Sequence, residues 1–438
     1  MAKLRIVIIG NGIGGLCAAY CLGRAGHEVV VLERNTEVSE IGAGIQLAPN
    51  MSRLLIRWGL GEKLSQVGVK PEFLTFHRYE NGNPLGFSWF GERMETDHGA
   101  PYYHIHRKDL IQMLYSLASP YMKLKLGCRV LSVDSSSSSV QLEGGSKLYG
   151  DLIIGADGFR SVAREAVAPR HPLKMVGDVA FRIIVPVDLL RRDEVLAELV
   201  TIPHIRCWMG PDKHVVAYLV KGGQEYNVVL IAPELDHQDT KMSWVAEGNM
   251  AELRAIYAGW DLRVQKLLDL ATSCLKTKIT YSEPLTNWTD PLSRITLVGD
   301  ACHPMLPYRA QAAAMAVEDA AVLGVLFSKI KNVTEIPDLL RAYQVIRAPR
   351  TAATLHASLL NRTTFHLADG VDQERRDQSM KASMEDALRR DTHSEHVGNA
   401  NQWADRQKNG EQFDYDAEEA ALAWLKSEDA TQQAQVKL

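Results

Sequence analysis

LRIVIIGNGIGGLCAAYCLGRAGHEVVVLE, residues 4–33, is the stretch that decides the fold. Residues 6–9 are an unbroken apolar run, the pattern of a strand buried on both faces of a parallel sheet. The run ends in Gly10-Asn11-Gly12-Ile13-Gly14-Gly15, which fits G-x-G-x-x-G. An amphipathic helix follows (Leu16, Ala19, Tyr20, Leu22, Gly23), then a turn at Gly26, a second strand over 29–32 and an acid, Glu33. Gly10 permits the tight turn, Gly12 lets the backbone approach a pyrophosphate, and Gly15 lets helix and strand pack closely. The helix N-terminus faces the phosphate charge. Glu33 is placed to accept hydrogen bonds from an adenosine ribose. Alone, the glycine pattern is weak. Between strand and helix, with the acid 23 residues after Gly10, it specifies a dinucleotide site.

Composition sets the bounds. The 438 residues are 46% apolar, enough for a large core and two or three domains. A net charge of -4, with acids and bases interspersed, gives no electrostatic case for nucleic acid. The six cysteines form no C-x-x-C pair, and Cys17 and Cys21 share a helix face as small core residues. A reducing, cytoplasmic compartment fits. The N-terminus enters a core strand almost at once, so no signal peptide is expected. No apolar run approaches the length of a membrane span.

Further along, Gly42-Ala43-Gly44 marks backbone passing close to a ligand, and residues 51–58 read as a short helix ending at Gly59. Strands are expected over 73–78 and 86–90, and a helix from Lys108 to about Ala118. Residues 123–126 and 129–133 read as strands returning to the first sheet, and 135–139 as a solvated serine turn. Alternating stretches at 180–185, 206–209, 215–220 and 227–231 predict an inserted antiparallel sheet. Residues 244–270 read as helical, 276–281 as a strand and 312–326 as a small-residue helix. A long helix over 336–360 is expected to break near Pro349. From Asp369 the chain reads as a polar surface appendage, with one helical stretch over 418–424.

Three Gly- or Ala-rich turns, at 10–15, 155–158 and 299–304, each follow a buried strand. Ligands lie at strand carboxyl ends in open α/β sheets, so three such turns imply one extended ligand. Asp157 and Asp300 sit in two of them, serving a ribitol, neighbouring backbone or basic residues, or capping the next helix.

Together these segments resemble the single-component FAD-dependent aromatic hydroxylases, the salicylate hydroxylase-like, fungal-type branch of the group A flavoprotein monooxygenases. The matching residues are Gly10-x-Gly12-x-x-Gly15 with Glu33, His106-Arg107-x-Asp109-Leu110 and Gly155-Ala156-Asp157-Gly158. The last segment runs from Gly299-Asp300-Ala301-Cys302-His303-Pro304 through Pro307-Tyr308-Arg309-Ala310-Gln311 to Glu318-Asp319-Ala320, with a fainter match at 399–403.

The resemblance implies an α/β fold: a Rossmann-like FAD-binding domain of the glutathione-reductase and p-hydroxybenzoate hydroxylase kind, an inserted antiparallel substrate sheet and C-terminal helices. The expected division is 1–75, 100–175 and 285–330 for FAD, 76–99 and 176–284 for substrate, and 331–438 for the helical region and tail. It also implies noncovalent FAD, NADH or NADPH as transient reductant, O2 as co-substrate, no metal, and a monomer or homodimer. Gly44, Ile45 and Gln46 would lie near the flavin, Arg107 would contact the FAD chain, and Asp157 resembles the acid of the family's DG motif. Asp300 would hold the ribityl hydroxyls, and the loop from Pro307 through Ala312, Ala313 and Ala314 would offer backbone N–H groups to the flavin. Arg34 and Val130 join the implied cofactor contacts. Family members usually carry Gly where Ala312 stands; a positive φ there would strain it by about 1 kcal/mol.

On the substrate side, His214 and Tyr218 sit four apart, on one face of a strand. In hydroxybenzoate-hydroxylating relatives a His and a Tyr at this spacing line the pocket. A flavin C4a-hydroperoxide is electrophilic and attacks a phenolate faster than a phenol. A near-neutral His214 suits a general base, and Tyr218 could orient the hydroxyl. Arg182 is on a predicted strand, and resemblance to phenol-dearomatising relatives implies an Arg from this sheet that pairs with a phenolate or carboxylate. The implied activity is NAD(P)H-consuming hydroxylation of a phenolic or salicylate-like aromatic. The alternatives are dearomatising hydroxylation or epoxidation of a polyketide phenol or indole in secondary metabolism, or flavin binding without oxygenase turnover.

Overall fold

The structure is a computed structural model that describes residues 2–38, 43–234, 246–389 and 396–436, with side chains to 427. The apolar run near the N-terminus forms the strand Arg5–Ile9, central in a five-stranded parallel sheet. The order is Ile295–Leu297, Leu152–Gly155, Arg5–Ile9, Glu28–Leu32, Met122–Lys125. Ile6 pairs with Leu152 on one side and Val29 on the other. The three turns therefore emerge from adjacent strands at one edge.

The helix Ile13–Arg24 starts at Gly12 and packs along Ala312–Phe327. The approach is close: a methyl on Gly324 would lie 2.6 Å from Cys21 Cβ. That crossing explains why both helices are rich in small residues where they meet, and why Cys17 and Cys21 are buried.

The second layer is an eight-stranded sheet, in the order Ala246–Gly248, Cys274–Tyr281, Lys174–Pro186, Glu225–Pro233, Lys213–Val220, Ile205–Gly210, Phe73–Arg78, Pro84–Trp89. It is antiparallel throughout except where Ile205–Gly210 runs parallel to Phe73–Arg78. One face packs Phe181, Val215 and Leu230 against the helices Met250–Ile256 and Leu262–Leu270. Side chains of the opposite face, among them Ala180, Met209 and Ile231, cluster with Leu306, Tyr308 and Phe365.

Several sequence expectations are corrected. Val130–Asp134 does not rejoin the first sheet but forms a separate three-stranded one with Ser139–Leu142 and Lys147–Tyr149. Ser138 and Ser139 are buried, because the Ser138 hydroxyl donates to the Gly150 carbonyl across that small sheet. The stretch expected to be helical from 244 to 270 is a short strand and two helices, split at Tyr257–Asp261 by turns; residues 244 and 245 lie outside the described residues, as do 39–42. The helix Ile336–Phe365 runs unbroken through Pro349. Pro349 and Val345 both face solvent, so water can take the carbonyl that the missing N–H releases.

The largest correction is the C-terminal region, which is a packed layer rather than a surface appendage. The helix Val371–Leu388 lies on Pro84–Trp89. Asn401, Asp405, Phe413, Ala417 and Ala421 are buried. The Arg53 guanidinium donates to the carbonyls of Phe413 and Tyr415, and Trp58 Nε1 donates to Glu418 at 2.8 Å. Polar side chains bound to backbone carry this packing, so apolar periodicity does not reveal it.

Candidate active site

The first turn is built on exclusion. Gly10 has φ +99°, and a methyl on it would lie 2.5 Å from the Ala156 carbonyl oxygen. A methyl on Gly15 would lie 2.0 Å from the Gly10 oxygen, which no side chain tolerates. At Gly12 the space is open. Glu33 is buried beside the turn, accepting from the backbone N–H of Asn11 (3.2 Å) and Asn35 (2.8 Å). Arg34 is exposed next to it. Cys128 donates its N–H to the Glu33 carbonyl, which brings the buried Val130 to the same end.

Asp157 is spent within its own turn. It accepts from the Ser161 hydroxyl (2.5 Å) and from the N–H groups of Val162 (2.6 Å) and Ala163 (3.2 Å), at the start of the helix Val162–Val167. Its side chain thus serves neighbouring backbone, while Ser161 is the N-cap of that helix, its hydroxyl accepting from the Arg164 N–H. Burial raises its carboxyl, and these donors pull it back. Arg164, which sequence reading missed, ties the second turn to the third: it donates to the carbonyls of Phe159, Asp300 and Ala301. Burial also raises Asp300, opposed by the positive charge of His303, Arg107 and Arg164.

Beyond the third turn lies a buried ion network. Arg347 donates to Glu318 (2.5 Å) and Asp319 (2.8 Å), and Arg350 donates twice to Glu318. His303 bonds Asp319 at 2.6 Å, so it is a structural partner. Burial alone would raise Glu318, yet Arg350 and Arg347 hold it below its usual value. Asn50 donates to both Glu318 and Gln311, fixing the loop that precedes Ala312–Phe327. That helix has no side-chain cap, which leaves its first N–H groups available. Ala312 and Ala313 are partly exposed there, Ala314 is buried and Pro307 is exposed. The feared strain at Ala312 is absent: it begins the helix, and Ala310 takes the left-handed position at φ +54°.

On the face of the eight-stranded sheet opposite its helices, three central positions are incompletely covered. Arg182 pairs in register with Val229, and Val229 with Val216, on three central strands. All three are only partly buried, although central sheet positions are ordinarily sealed. At one side Tyr218 is buried with its ring 4.3 Å from that of His104. Gln46 accepts from the Tyr102 hydroxyl at 2.6 Å and also hydrogen-bonds Tyr218. Gly44 donates its N–H to Asn227 Oδ1 (2.8 Å), and a methyl on it would lie 2.8 Å from Tyr218. Asn227 Nδ2 is buried without a partner. Gly44, Ile45 and Gln46 are all partly exposed within Gly44–Leu47. Arg107 opens the helix Arg107–Ala118 and is close enough for its charge to act on both Arg182 and Asp300.

His214 lies beyond Val216 on the same face. It is buried, shares a 2.8 Å hydrogen bond with His366 Nε2, and has its ring 5.3 Å from those of Tyr308 and Phe365. Its expected near-neutral basicity is corrected: burial and the neighbouring His366 push it well below the usual range. Arg182 donates to Thr277 at 2.9 Å, and burial with nearby Arg107 lowers its proton affinity. The structure thus brings Arg182 and Tyr218 together with Gln46 and Arg107, while His214 joins a separate cluster with Tyr308 and His366. Tyr102, His104, Asn227 and His366 had no sequence signal; Tyr308 lay within a quoted motif but without a role.

The sequence matches the FAD binding domain family over residues 3–358. It is 37% identical over 382 residues to the FAD-dependent monooxygenase OpS4 of Beauveria bassiana (strain ARSEF 2860), covering 86% of this chain and 89% of that protein. The chain belongs to the FAD-binding-domain family of flavoprotein monooxygenases. It is also 33% identical to the 3-hydroxybenzoate 6-hydroxylase of Klebsiella oxytoca, over 85% of this chain and 92% of that one. A salicylate hydroxylase substrate complex shares the fold, with TM-score 0.74 and 24% identity over 92% of this chain and 98% of that one. This flavoprotein's residues fit FAD: the glycine cradle tolerates no methyl, the space at Gly12 is open, the helix at Ala312 has no side-chain cap, and the Asn227 amide is unpartnered. Among the described residues no helix is long and apolar enough to cross a membrane, and no cluster of three His, Cys, Asp or Glu could hold a metal.

Proposed function

We propose that this flavoprotein hydroxylates a phenolic, salicylate-like aromatic in a hollow beneath its eight-stranded sheet. The observation that carries the reading is the partly open trio Arg182, Val216 and Val229 at the sheet centre, flanked by Tyr218 and His214. Gly10, Gly12, Gly15, Glu33, Arg34 and Val130 would hold the adenosine end of FAD; Gly44, Ile45, Gln46, Arg107, Asp300 and the backbone N–H groups of the loop from Pro307 to Ala314 would hold the rest. Asp157 acts on the cofactor through its turn, not by its engaged carboxylate. Bound FAD supplies the reduction by nicotinamide and the activation of oxygen. Val216 and Val229 exclude water from the substrate side, and Tyr218 orients the substrate hydroxyl.

His214 takes the phenolic proton at the ring nitrogen that His366 leaves free. Its basicity is low in the dry pocket, and an anion brought beside it raises that basicity because opposite charge favours the imidazolium. Arg182 stabilises negative charge on the substrate. The reading includes the domain division given above, a cytoplasmic location where reduced nicotinamide is at hand, and a monomer or homodimer.

The test is turnover of the yellow protein with NADH or NADPH, isotopically labelled O2 and a panel of hydroxybenzoates and resorcylic phenols. One labelled oxygen atom in a hydroxylated product is expected. Nicotinamide oxidation that yields only peroxide with every phenol contradicts the reading and favours an indole or polyketide substrate.

A further inference from the structure

Five arginines are fully buried among the described residues: Arg164, Arg206, Arg309, Arg347 and Arg376. Four are satisfied. Arg164 and Arg206 donate to carbonyls, Arg347 pairs with Glu318 and Asp319, and Arg376 with Asp377. Arg309 differs. It is 4% exposed in the turn Pro307–Arg309, and its Nε and Nη1 have no hydrogen-bonding partner. Asp405, whose charge acts on it, is occupied, accepting from the N–H groups of Gly398 (2.8 Å) and Lys408 (3.1 Å). A buried guanidinium without a hydrogen-bonded counter-charge is costly, and such a group points to a ligand that completes it.

The surroundings say where that ligand sits. The guanidinium lies 4.8 Å over the ring of Trp403. Trp403 stacks along Phe365, which meets His214. On the other side Arg309 lies near Tyr102, whose hydroxyl leads through Gln46 to Tyr218. Its chain neighbour Tyr308 has its ring 5.3 Å from His214. The two clusters that flank the partly covered sheet centre therefore meet at Arg309. Burial lowers its proton affinity to about 10, which still leaves it charged at neutral pH.

We propose that Arg309, held against the face of Trp403, binds the carboxylate of the substrate and sets a preference for aromatic acids over their neutral analogues. The inference rests on the hydroxylase reading above. A guanidinium presents paired N–H groups that match the two oxygens of a carboxylate, whereas a phenolic oxygen offers one. The stacking partner Trp403 comes from beyond residue 358, where the family match ends, so the subsite belongs to the C-terminal layer as much as to the flavin loop.

The test uses the FAD holoenzyme, its Arg309→Met and Arg309→Lys variants, and the three monohydroxybenzoates with their matching hydroxybenzamides. Binding is read from the change in the flavin visible spectrum, with FAD content and melting temperature measured alongside. In the natural protein at least one acid should bind well ahead of its amide. Arg309→Met should weaken that acid by about 100-fold, the size of a lost charge-assisted hydrogen bond, and leave the amide within about threefold. Arg309→Lys should recover part of the loss. FAD content should hold, and the melting temperature of Arg309→Met should not fall, because it removes an unpaired charge. Equal losses for acid and amide, an acid that binds no better than its amide in the natural protein, or loss of FAD from Arg309→Met would each overturn the proposal. The hydroxylase reading is checked separately: if a neutral phenol drives NAD(P)H-dependent oxygen uptake while no acid binds, that reading stands and the carboxylate subsite falls.

Discussion

The glycine turn after Arg5–Ile9 and the pocket around Arg309 and Trp403 are built by different means. In the turn, contacts are local: Gly10, Gly15 and Ala156 exclude any side chain within a few ångströms, and the constraint is written in the residue types themselves. In the pocket, Tyr102, Arg309, His366 and Trp403 converge from four distant segments; Arg309 and Trp403 lie in matched segments, but no local pattern assigns any of the four a place in a pocket. The first region accepts a cofactor part whose shape does not vary. The second leaves polar atoms unpartnered, among them Arg309, His104 and Asn227, and so leaves its selectivity open to substitution. A rigid cradle beside a partly unsatisfied pocket is the arrangement expected when one cofactor serves many substrates.

Substitutions that separate the two regions come first. Gly15→Val should yield protein with essentially no bound flavin and poor folding, because its side chain meets the Gly10 carbonyl oxygen. Gly12→Ala should fold with the melting temperature of the apoprotein unchanged and still lose FAD, since nothing in the protein crowds that position. Absorbance of bound flavin together with thermal melts checks both. If Gly12→Ala keeps its flavin, the pyrophosphate does not approach there.

The ion network beneath the flavin loop comes next. Arg347→Met leaves the buried Glu318 and Asp319 with fewer counter-charges, and should cost about 3–5 kcal/mol in chemical denaturation. Arg57→Ala, which breaks partly exposed pairs to Asp416 and Glu418, should cost no more than about 1 kcal/mol. A large loss at Arg57 would mean that the C-terminal layer is held chiefly by that clasp.

The buried histidine pair predicts a pH dependence. An unfolded imidazole titrates near 6.5, while burial, countered by Asp178 and reinforced by Arg362, pushes His366 down to about 4; Tyr308 and His214 also face it. Between those values the unfolded chain binds more protons than the folded one. Stability is therefore intact above pH 6.5 and falls as pH drops toward 4, by about 1.4 kcal/mol per pH unit for such a histidine. His366→Asn should flatten the slope of unfolding free energy between pH 6.5 and 5. An unchanged slope would show that the pair is not neutral in the folded protein.

The smallest effects concern the two alanines. Ala310→Gly relieves a left-handed backbone and should add up to about 1 kcal/mol, whereas Ala312→Gly should cost a few tenths, about what helix propensity dictates at a first-turn position. Equal signs for the two in thermal melts would contradict the assignment of strain to Ala310.

Much of the fold was legible because apolar runs, glycine turns and strand alternation act over short spans. Residues 6–9, the turn at 155–158 and the inner sheet strands follow from such patterns. The condition for strain at Ala312 is not met, because which residue of a turn takes the positive φ depends on its exit into the helix, and here Ala310 takes it. Val130–Asp134 was misplaced because its apolar content does not distinguish one sheet from another. The C-terminal layer was invisible because Arg53, Arg350 and Asn409 bind it through backbone carbonyls. His214 was found by spacing, but its partner His366 ends a helix 152 residues away and no pattern links them.

The most direct test of the account is anaerobic stopped-flow reduction of the FAD-bound protein by NADH and NADPH, with and without hydroxybenzoates. The account predicts that one aromatic acid speeds flavin bleaching many-fold, and that Gly12→Ala abolishes the signal. Flavin that bleaches at one rate whatever phenol is present would contradict a hydroxylase whose hollow is built to receive it.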